Sequence, residues 1–398
     1  MESTESRNAA EPQPMGTRTA PSRRDAANSR RKNVLQPRMR RGFQFSLQRW
    51  YAENARDLPW RRTSDPYHIW VSEVMLQQTQ VSTVVPYYQR FLDRFPTLES
   101  LAAASQHDVL KLWQGLGYYR RAINLHQAAR EVMERHDGEV PADLGSLRQL
   151  PGVGRYIAGA ILSFAFNRPA PVLEANTSRV LCRLFAVRGA DGDGDRARRL
   201  WDLAEALLPQ REPGLHNQAL MELGALVCLP RRPRCDECPV NQYCEARAQG
   251  LIEQLPEARR RPQPVDVCDA AAVLWRRGRL LIVRRPPQER WGGLWELPRT
   301  TVAEGKDPRT ALRTHVRRSL ALDIDLGPEL LVVKHGVTHH RITLHCYEAT
   351  RVVGRARPNG YAECRWELPA CLGDYAFSSP QRRLITAIQQ GRTASEAG

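Results

Sequence analysis

A chain of 398 residues is long enough for two domains, each with a core of its own. Its 59 Lys and Arg outnumber 43 Asp and Glu, a formal charge of +16; this points to a polyanionic partner, nucleic acid first, with solubility as the plainer reading. No apolar run reaches the ~18 residues of a membrane span, and the opening MESTESRNAAEPQP lacks the apolar stretch of a secretory signal.

Residues 1–42 carry ten Lys or Arg against four acids with almost no apolar periodicity. They are expected to form a disordered basic arm able to touch phosphate. A mitochondrial transit segment is the alternative, disfavoured by Glu2, Glu5, Glu11 and Asp25. From 43 to 252 the periodicity is helical, as in FQFSLQRWYAEN, RAINLHQAAREVMERH and RYIAGAILSFAF, with turns at DLPW, RFPT, GLGYY and LPGVG. No strand is expected there. Residues 253–267, rich in Pro and Arg, read as a linker. In 268–390 the texture becomes α+β. DAAAVLWRRGRLLIVRR reads as a hairpin about a tight RRG turn. RITLHCYEA alternates apolar residues at Ile342, Leu344 and Cys346, and PRTALRTHVRRSL and SPQRRLITAIQQ read as helices. Residues 391–398 are expected to form a disordered tail.

Three local patterns carry chemistry. WVSEVMLQQTQV, Trp70 to Val81, is a mostly apolar helix with one carboxylate, Glu73. Burial beside Trp70, Val74 and Met75 would raise its pKa enough to hold a proton near neutrality; a solvated acid in a first helical turn is the bland alternative. In LPGVGRYIAGAI, Gly152 and Gly154 permit close backbone approach and the helix that follows offers free amides, a place for phosphate or simply a helix start. Nine cysteines, an odd number, argue against a disulfide framework and for a reducing compartment. Four of them, Cys228, Cys235, Cys238 and Cys244, follow C-x6-C-x2-C-x5-C, a spacing that suits an iron–sulfur cube or a tetrahedral zinc. Arg231, Arg232 and Arg234 lie inside that loop, suited to a DNA backbone.

The cysteine spacing resembles the cluster loop of the endonuclease III and MutY glycosylase superfamily, where it holds a [4Fe–4S] cluster. DLPWR, WVSEVMLQQTQV, GLGYYRRA, LPGVGRY and NQALMELGALVC resemble, in order and spacing, adenine DNA glycosylases of the MutY family. The resemblance covers about residues 43–250 and continues more loosely through 268–390. It implies a two-domain protein: an all-α helix–hairpin–helix glycosylase domain with its cluster loop, then an α+β Nudix-like domain. The activity it implies is removal of adenine opposite 8-oxoguanine or guanine in double-stranded DNA, by a monomer. The compartment would be the bacterial cytoplasm at the nucleoid, or the eukaryotic nucleus or mitochondrion.

By the same resemblance Glu73 is the acid that protonates adenine N7. The family's second carboxylate is an Asp in Asp-Gly-Asn; here Glu174-Ala175-Asn176 stands in its place, displacing the carboxylate by one methylene. Glu174 either stabilises the sugar cation or is only a helix-start residue. Asn176 would help hold sugar or water, and Tyr156 would close over the site. Tyr156 also occupies the position of the Schiff-base lysine of bifunctional relatives, which favours a monofunctional enzyme. Arg61 and Gln218 resemble polar contacts to adenine, Trp60 and Leu76 its apolar walls, and Gln78 and Tyr118 the residues that wedge into the duplex. Of the adjacent Tyr118 and Tyr119, one is expected to face inward.

WGGLWELPR, Trp291 to Arg299, resembles part of the Nudix signature, but THVRRSL, Thr314 to Leu320, lacks the glutamates that hold magnesium there. Diphosphate hydrolysis is not expected; a lesion-sensing domain is. The family's Phe-Ser-His reader turn corresponds to Val337-Thr338-His339, between strands expected to end near Lys334 and to resume at Arg341. An ordinary surface turn is the alternative. The rival readings of the whole chain are an endonuclease III-like lesion lyase and a noncatalytic iron–sulfur DNA-binding protein.

Overall fold

The computed structural model describes residues 35–396 except 191, 259–262 and 290, and residues 391–396 by their backbone alone. Most of the expected N-terminal arm, 1–34, and the last two residues of the expected tail lie outside the described residues.

The N-terminal domain consists of α1 Pro37–Asn54, α2 Pro66–Leu76, α3 Val81–Arg94, α4 Leu98–Ala102, α5 Gln106–Trp113, α6 Arg120–Arg135, α7 Leu144–Gln149, α8 Arg155–Phe164, α9 Ala175–Leu184, α10 Gly194–Leu207, α11 Pro213–Leu226 and α12 Glu245–Ala248. Its helix starts follow from short-range chemistry. Asp65, Ser105, Asp143 and Asp193 each accept a backbone amide at a helix N-terminus, and Thr97 closes a capping box with Ser100. These contacts satisfy donors that helix geometry leaves free. Helix α2 has no wet face: Tyr67 and every residue from Ile69 to Met75 are buried. A helix apolar all round is central to its domain, and α2 packs on α3, α6 and α8. Around it Trp70, Met75, Phe91, Trp113, Leu125 and Ile161 form one core. A second core, with Phe43, Leu47, Val180, Leu200 and Leu220, forms where α1 returns to pack on α11 beside α9. The seam between the two is the floor of the site described below.

The C-terminal domain holds β1 Val265–Val273, β2 Trp275–Arg276, β3 Arg279–Arg284, β4 Trp295–Glu296, β5 Arg299–Val302, α13 Pro308–Leu320, β6 Asp323–Val337, β7 His340–Val353, β8 Glu363–Glu367 and α14 Ser379–Glu396. One sheet is ordered β5-β1-β7-β6, with β1 parallel to β7; in the other, β3 pairs with β8, β2 and β4. Ala271 and Val273 join the core beneath α14, while Ala270 and Ala272 join the core beneath α13. With a helix on each side, β1 is apolar at consecutive positions rather than alternate ones. Leu294 and Ala376 enter the core around α2, so the two domains share buried apolar surface.

Several boundaries differ from expectation. Helix α1 begins at Pro37, inside the segment read as an arm, because its inward Phe43, Leu47 and Tyr51 commit the turns before them. Strand β1 begins at Val265, within the expected linker, recruited by parallel pairing of Val265 with His340. Helix α14 continues to Glu396 rather than stopping at 390. The RRG hairpin is shorter than expected: only Trp275–Arg276 pairs with Arg279–Leu280, across Arg277 and Gly278, both at positive φ as the tight turn requires. The alanines before it pair elsewhere, with β5 and β7.

Candidate active site

A cleft of about 640 Å³ opens along the seam of the helical domain. Its walls include Trp60, Arg61, Glu73, Leu76, Gln78, Tyr118, Tyr156, Glu174, Asn176 and Gln218. These ten residues, scattered over 159 positions of sequence, are brought together by α2, α8, α9 and α11 and the turns beside them. Gly152, Gly154, Thr338 and His339 do not line the cleft.

Glu73 is 3% exposed. Because α2 is packed on all sides, its carboxylate meets only the cleft, where the Tyr156 hydroxyl donates to Oε2. Burial pushes its pKa up from 4.5 to about 7; the Tyr156 bond and Arg61 oppose the rise and the Glu174 charge adds to it. Glu73 can therefore carry a proton near neutral pH. Desolvation and the Glu73 charge raise Tyr156 as well, so its phenol stays protonated as a donor.

Glu174 stands before α9 and caps it. Its two oxygens accept from the amides of Asn176 (2.7 Å) and Thr177 (2.8 Å), and the Thr177 hydroxyl is 2.8 Å from the Glu174 amide. Glu174 is thus a helix-start residue whose side chain also lines the cleft. Burial raises its pKa, against the opposing pull of those amides. Asn176 Oδ1 accepts from Arg179 Nη2 at 2.8 Å, which fixes the amide. This corner needs Gly224 of α11: a Cβ there would lie 2.6 Å from Asn176 Cβ, so only glycine lets the two helices cross so closely.

The polar wall opposite contains a group that sequence reading missed. Glu222, fully buried, accepts from Arg56 Nε (2.7 Å), Arg56 Nη2 (2.8 Å), the Arg56 amide (3.0 Å) and Arg61 Nη2 (2.7 Å). Burial alone would raise its pKa; the hydrogen bonds from Arg56 and Arg61 win and hold it at about 2. Arg61 lines the cleft as expected, but its guanidinium is already committed to Glu222 and to the Arg56 carbonyl, 3.0 Å away. Gln218 is oriented by the Tyr51 hydroxyl, 2.8 Å from its Oε1. The signal for Glu222 was present: it lies four residues after Gln218, on the same helix face.

At the mouth, Gln78 (φ +57°) and Tyr118 (φ +50°) both adopt left-handed backbone, and Tyr118 is 52% exposed. Non-glycine residues in that region mark sites held by their surroundings. The holder is Arg121. Its Nη1 donates to the carbonyls of Val74 (2.7 Å), Met75 (2.8 Å) and Gln77 (2.6 Å), its Nη2 reaches Thr79 Oγ1 (3.1 Å) and the Gly117 carbonyl (3.3 Å), and it lies 5.4 Å from the Tyr118 ring centre. One half-buried guanidinium thus ties the end of α2 to the turn before α6. Of the adjacent tyrosines, Tyr119 is the buried one.

No lysine lines the cleft among the described residues. Beside it, Gly152 (φ +77°) makes the turn into α8, with Asn124 too close to admit a Cβ, and Gly154 precedes α8 with open space around it and no side-chain cap. The first amides of α8 are therefore free for an anion.

Cys228, Cys235, Cys238 and Cys244 line one small cavity together with Arg234 and Arg247. All four are half-buried and none is paired in a disulfide. Arg183 Nη1 lies 3.4 Å from Cys228 Sγ. Four soft donors about one cavity, with guanidinium beside them, fit a thiolate-ligated cluster of net negative charge. In the C-terminal domain, strand β6 runs to Val337, three residues past the expected end, so the reader turn is a two-residue loop. Thr338 (φ +55°) and His339 are exposed at its tip, and Thr338 Oγ1 donates to the Val337 carbonyl at 2.6 Å.

Fold and site define a base excision repair protein built from a helical glycosylase domain, an iron–sulfur loop and a Nudix-like domain. Family models agree segment by segment: the HhH-GPD superfamily base excision DNA repair protein over residues 71–206, the iron–sulfur binding domain of endonuclease III over 228–244, and the NUDIX domain over 270–387. The adenine DNA glycosylase of Rattus norvegicus is 38% identical over 89% of this chain and 80% of its own. That of Mus musculus is 40% identical over 89% and 79%, and that of Homo sapiens 40% identical over 77% and 66%. The chain belongs to the adenine DNA glycosylase family, and its cofactor is an iron–sulfur cluster.

Proposed function

We propose that the protein is a monofunctional glycosylase that hydrolyses the N-glycosidic bond of adenine opposite 8-oxoguanine or guanine in double-stranded DNA, acting as a monomer wherever the genome lies: the bacterial nucleoid, or the eukaryotic nucleus or mitochondrion. The observation that carries this reading is buried Glu73, bonded by the half-buried Tyr156, facing a cleft that also holds Glu174 and is lined by no lysine among the described residues. An adenine turned out of the helix enters the cleft between Trp60 and Leu76, met by Gln218. Glu73 gives its proton to N7. The C1′–N9 bond breaks with its electron pair passing into the purine, which leaves neutral, and the sugar becomes an oxocarbenium ion. The Glu73 and Glu174 carboxylates face that cation, and with the Tyr156 hydroxyl and the Asn176 amide they direct a water to C1′. That water adds and its proton returns to Glu73. Without an amine, the abasic product leaves with its strand intact.

Gln78 and Tyr118 fill the gap in the base stack. Gly152, Gly154 and the free amides of α8 hold a backbone phosphate. The cluster, proposed to be [4Fe–4S] on Cys228, Cys235, Cys238 and Cys244, braces the loop carrying Arg231, Arg232 and Arg234 against the DNA. Thr338 and His339 read the opposite base. Single-turnover excision on duplexes with A opposite 8-oxoguanine, G or T tests the reading. Release of free adenine that is fastest opposite 8-oxoguanine, with strand breakage only after alkali, is expected; release of another base, or of none, would refute it.

A further inference from the structure

The turn that presents Tyr118 is joined to the other domain through its neighbour. Tyr119, 5% exposed at the start of α6, has a hydroxyl with two partners: it accepts from the Gly115 amide at 3.2 Å and donates to the Phe377 carbonyl at 3.2 Å. Phe377 belongs to the C-terminal core and bridges to Trp295 of β4. Gly115, Gly117 and Tyr118 all have positive φ, so this turn is held rather than relaxed. From the glycosylase side it is fastened by Trp113 Nε1 and Arg121 Nη2 on the Gly117 carbonyl. From the C-terminal side its link is Tyr119. The contact sits in a built interface: Gly293 lies so close to α5 that a Cβ would come within 2.8 Å of Gln106 Nε2, and Lys111 Nζ pairs with Asp374 at 3.0 Å.

We propose that Tyr119 is a positioning residue through which the docked C-terminal domain sets the pose of the exposed Tyr118 for base extrusion. The proposal rests on the wedge role given to Tyr118 above. Its physical basis is the stiffness of the 115–119 turn. With three residues in left-handed backbone, the turn has few alternative conformations of similar energy, and one hydroxyl bridging its first amide to the neighbouring domain ties its geometry to where that domain sits. Loss of the hydroxyl leaves the ring's packing intact and releases only this tie.

The test is a double-mutant cycle in the full-length, cluster-bearing chain: wild type, Tyr119→Phe, Tyr118→Ala and both, each assayed for single-turnover adenine excision opposite 8-oxoguanine at varied enzyme concentration. Tyr119→Phe is expected to lower the saturating rate about two- to tenfold, the range of one neutral hydrogen bond, without changing the half-saturating enzyme concentration. In the Tyr118→Ala background the same substitution is expected to change nothing. An unchanged rate in Tyr119→Phe while Tyr118→Ala is slow overturns the coupling and leaves the wedge standing. An equal loss in both backgrounds, or a loss confined to duplex affinity, makes Tyr119 merely structural. A Tyr118→Ala variant as fast as wild type removes the wedge reading and the coupling with it.

Discussion

Replacing Glu73 with Gln should abolish catalysis and, at the same time, stabilise the protein as pH rises. Glu73 is buried in a helix with no wet face, and its pKa is raised from 4.5 to about 7 chiefly by desolvation. Below pH 4.5 the folded and unfolded chains both hold the proton, and burial of the neutral acid costs little. Between 4.5 and 7 the unfolded chain releases the proton and the folded chain keeps it, so stability falls by about 1.4 kcal/mol per pH unit. Above 7 the loss levels off at roughly 3 kcal/mol. Glutamine has the same shape, can still accept from Tyr156 through its carbonyl, and has no charge to bury. The advantage of Glu73→Gln over wild type should therefore be about 1 kcal/mol at pH 5.5 and about 3 kcal/mol at pH 8. At roughly 2–4 °C per kcal/mol, the difference in apparent unfolding midpoint should widen by several degrees between the two pH values. The same variant, unable to donate a proton, should lose adenine excision by at least about 10²–10⁴-fold while binding duplex normally. In the wild type the excision rate should decline as pH passes about 7. Midpoints of the two proteins measured at pH 5.5 and 8, beside single-turnover rates, decide it. A constant midpoint difference would show that Glu73 is not buried against its charge, and activity within about threefold of wild type would remove it from proton transfer.

Glu222→Gln should destabilise the chain by about 1–3 kcal/mol at neutral pH, because it takes the buried carboxylate away from the half-buried Arg61 and the more exposed Arg56, which then lack their charged partner; a shift in unfolding midpoint of less than about 2 °C would contradict this. The stabilisation Glu222 contributes is complete above its unfolded pKa near 4.5 and drains away as pH falls toward about 2, so the difference between the two proteins should shrink in acid. Borohydride should trap no covalent DNA adduct during turnover, since the cleft offers a phenol where an imine needs an amine; efficient trapping would restore a lyase. The purified protein should carry about four irons per chain, and a folded, fully active zinc form without iron would overturn that assignment. Thr338→Ala with His339→Ala should lower the preference for adenine opposite 8-oxoguanine over adenine opposite guanine at least severalfold, with little change on the guanine duplex; an unchanged ratio would place lesion reading elsewhere.

The cysteine spacing, most helices of the N-terminal domain and the change of texture between the two domains were legible in the sequence, because each is signalled locally; the residues that line the cleft were named through the resemblance of their motifs to adenine DNA glycosylases. The cysteines within seventeen residues and Glu73 alone in an apolar helix are both short-range patterns. Strand partners were harder to read: the RRG hairpin is real, yet Ala270–Ala272 leave it to pair with β5 and β7, since being apolar on both faces says that a strand is buried and not what it lies beside.

Only the tertiary structure decided which distant groups meet. The pairings Tyr156–Glu73, Arg56–Glu222, Tyr51–Gln218 and Tyr119–Phe377 span 83, 166, 167 and 258 positions. A helical period tells which side of an element faces inward, while the choice of partner depends on helix crossings such as the one Gly224 permits. For that reason Arg61 could be read from its motif as a cleft residue, but its engagement with Glu222 could not. Glu174 likewise could be weighed as catalytic or capping from its position, and it took the packed helix to show one carboxylate in both places, since its oxygens reach the α9 amides from the same wall that faces Glu73.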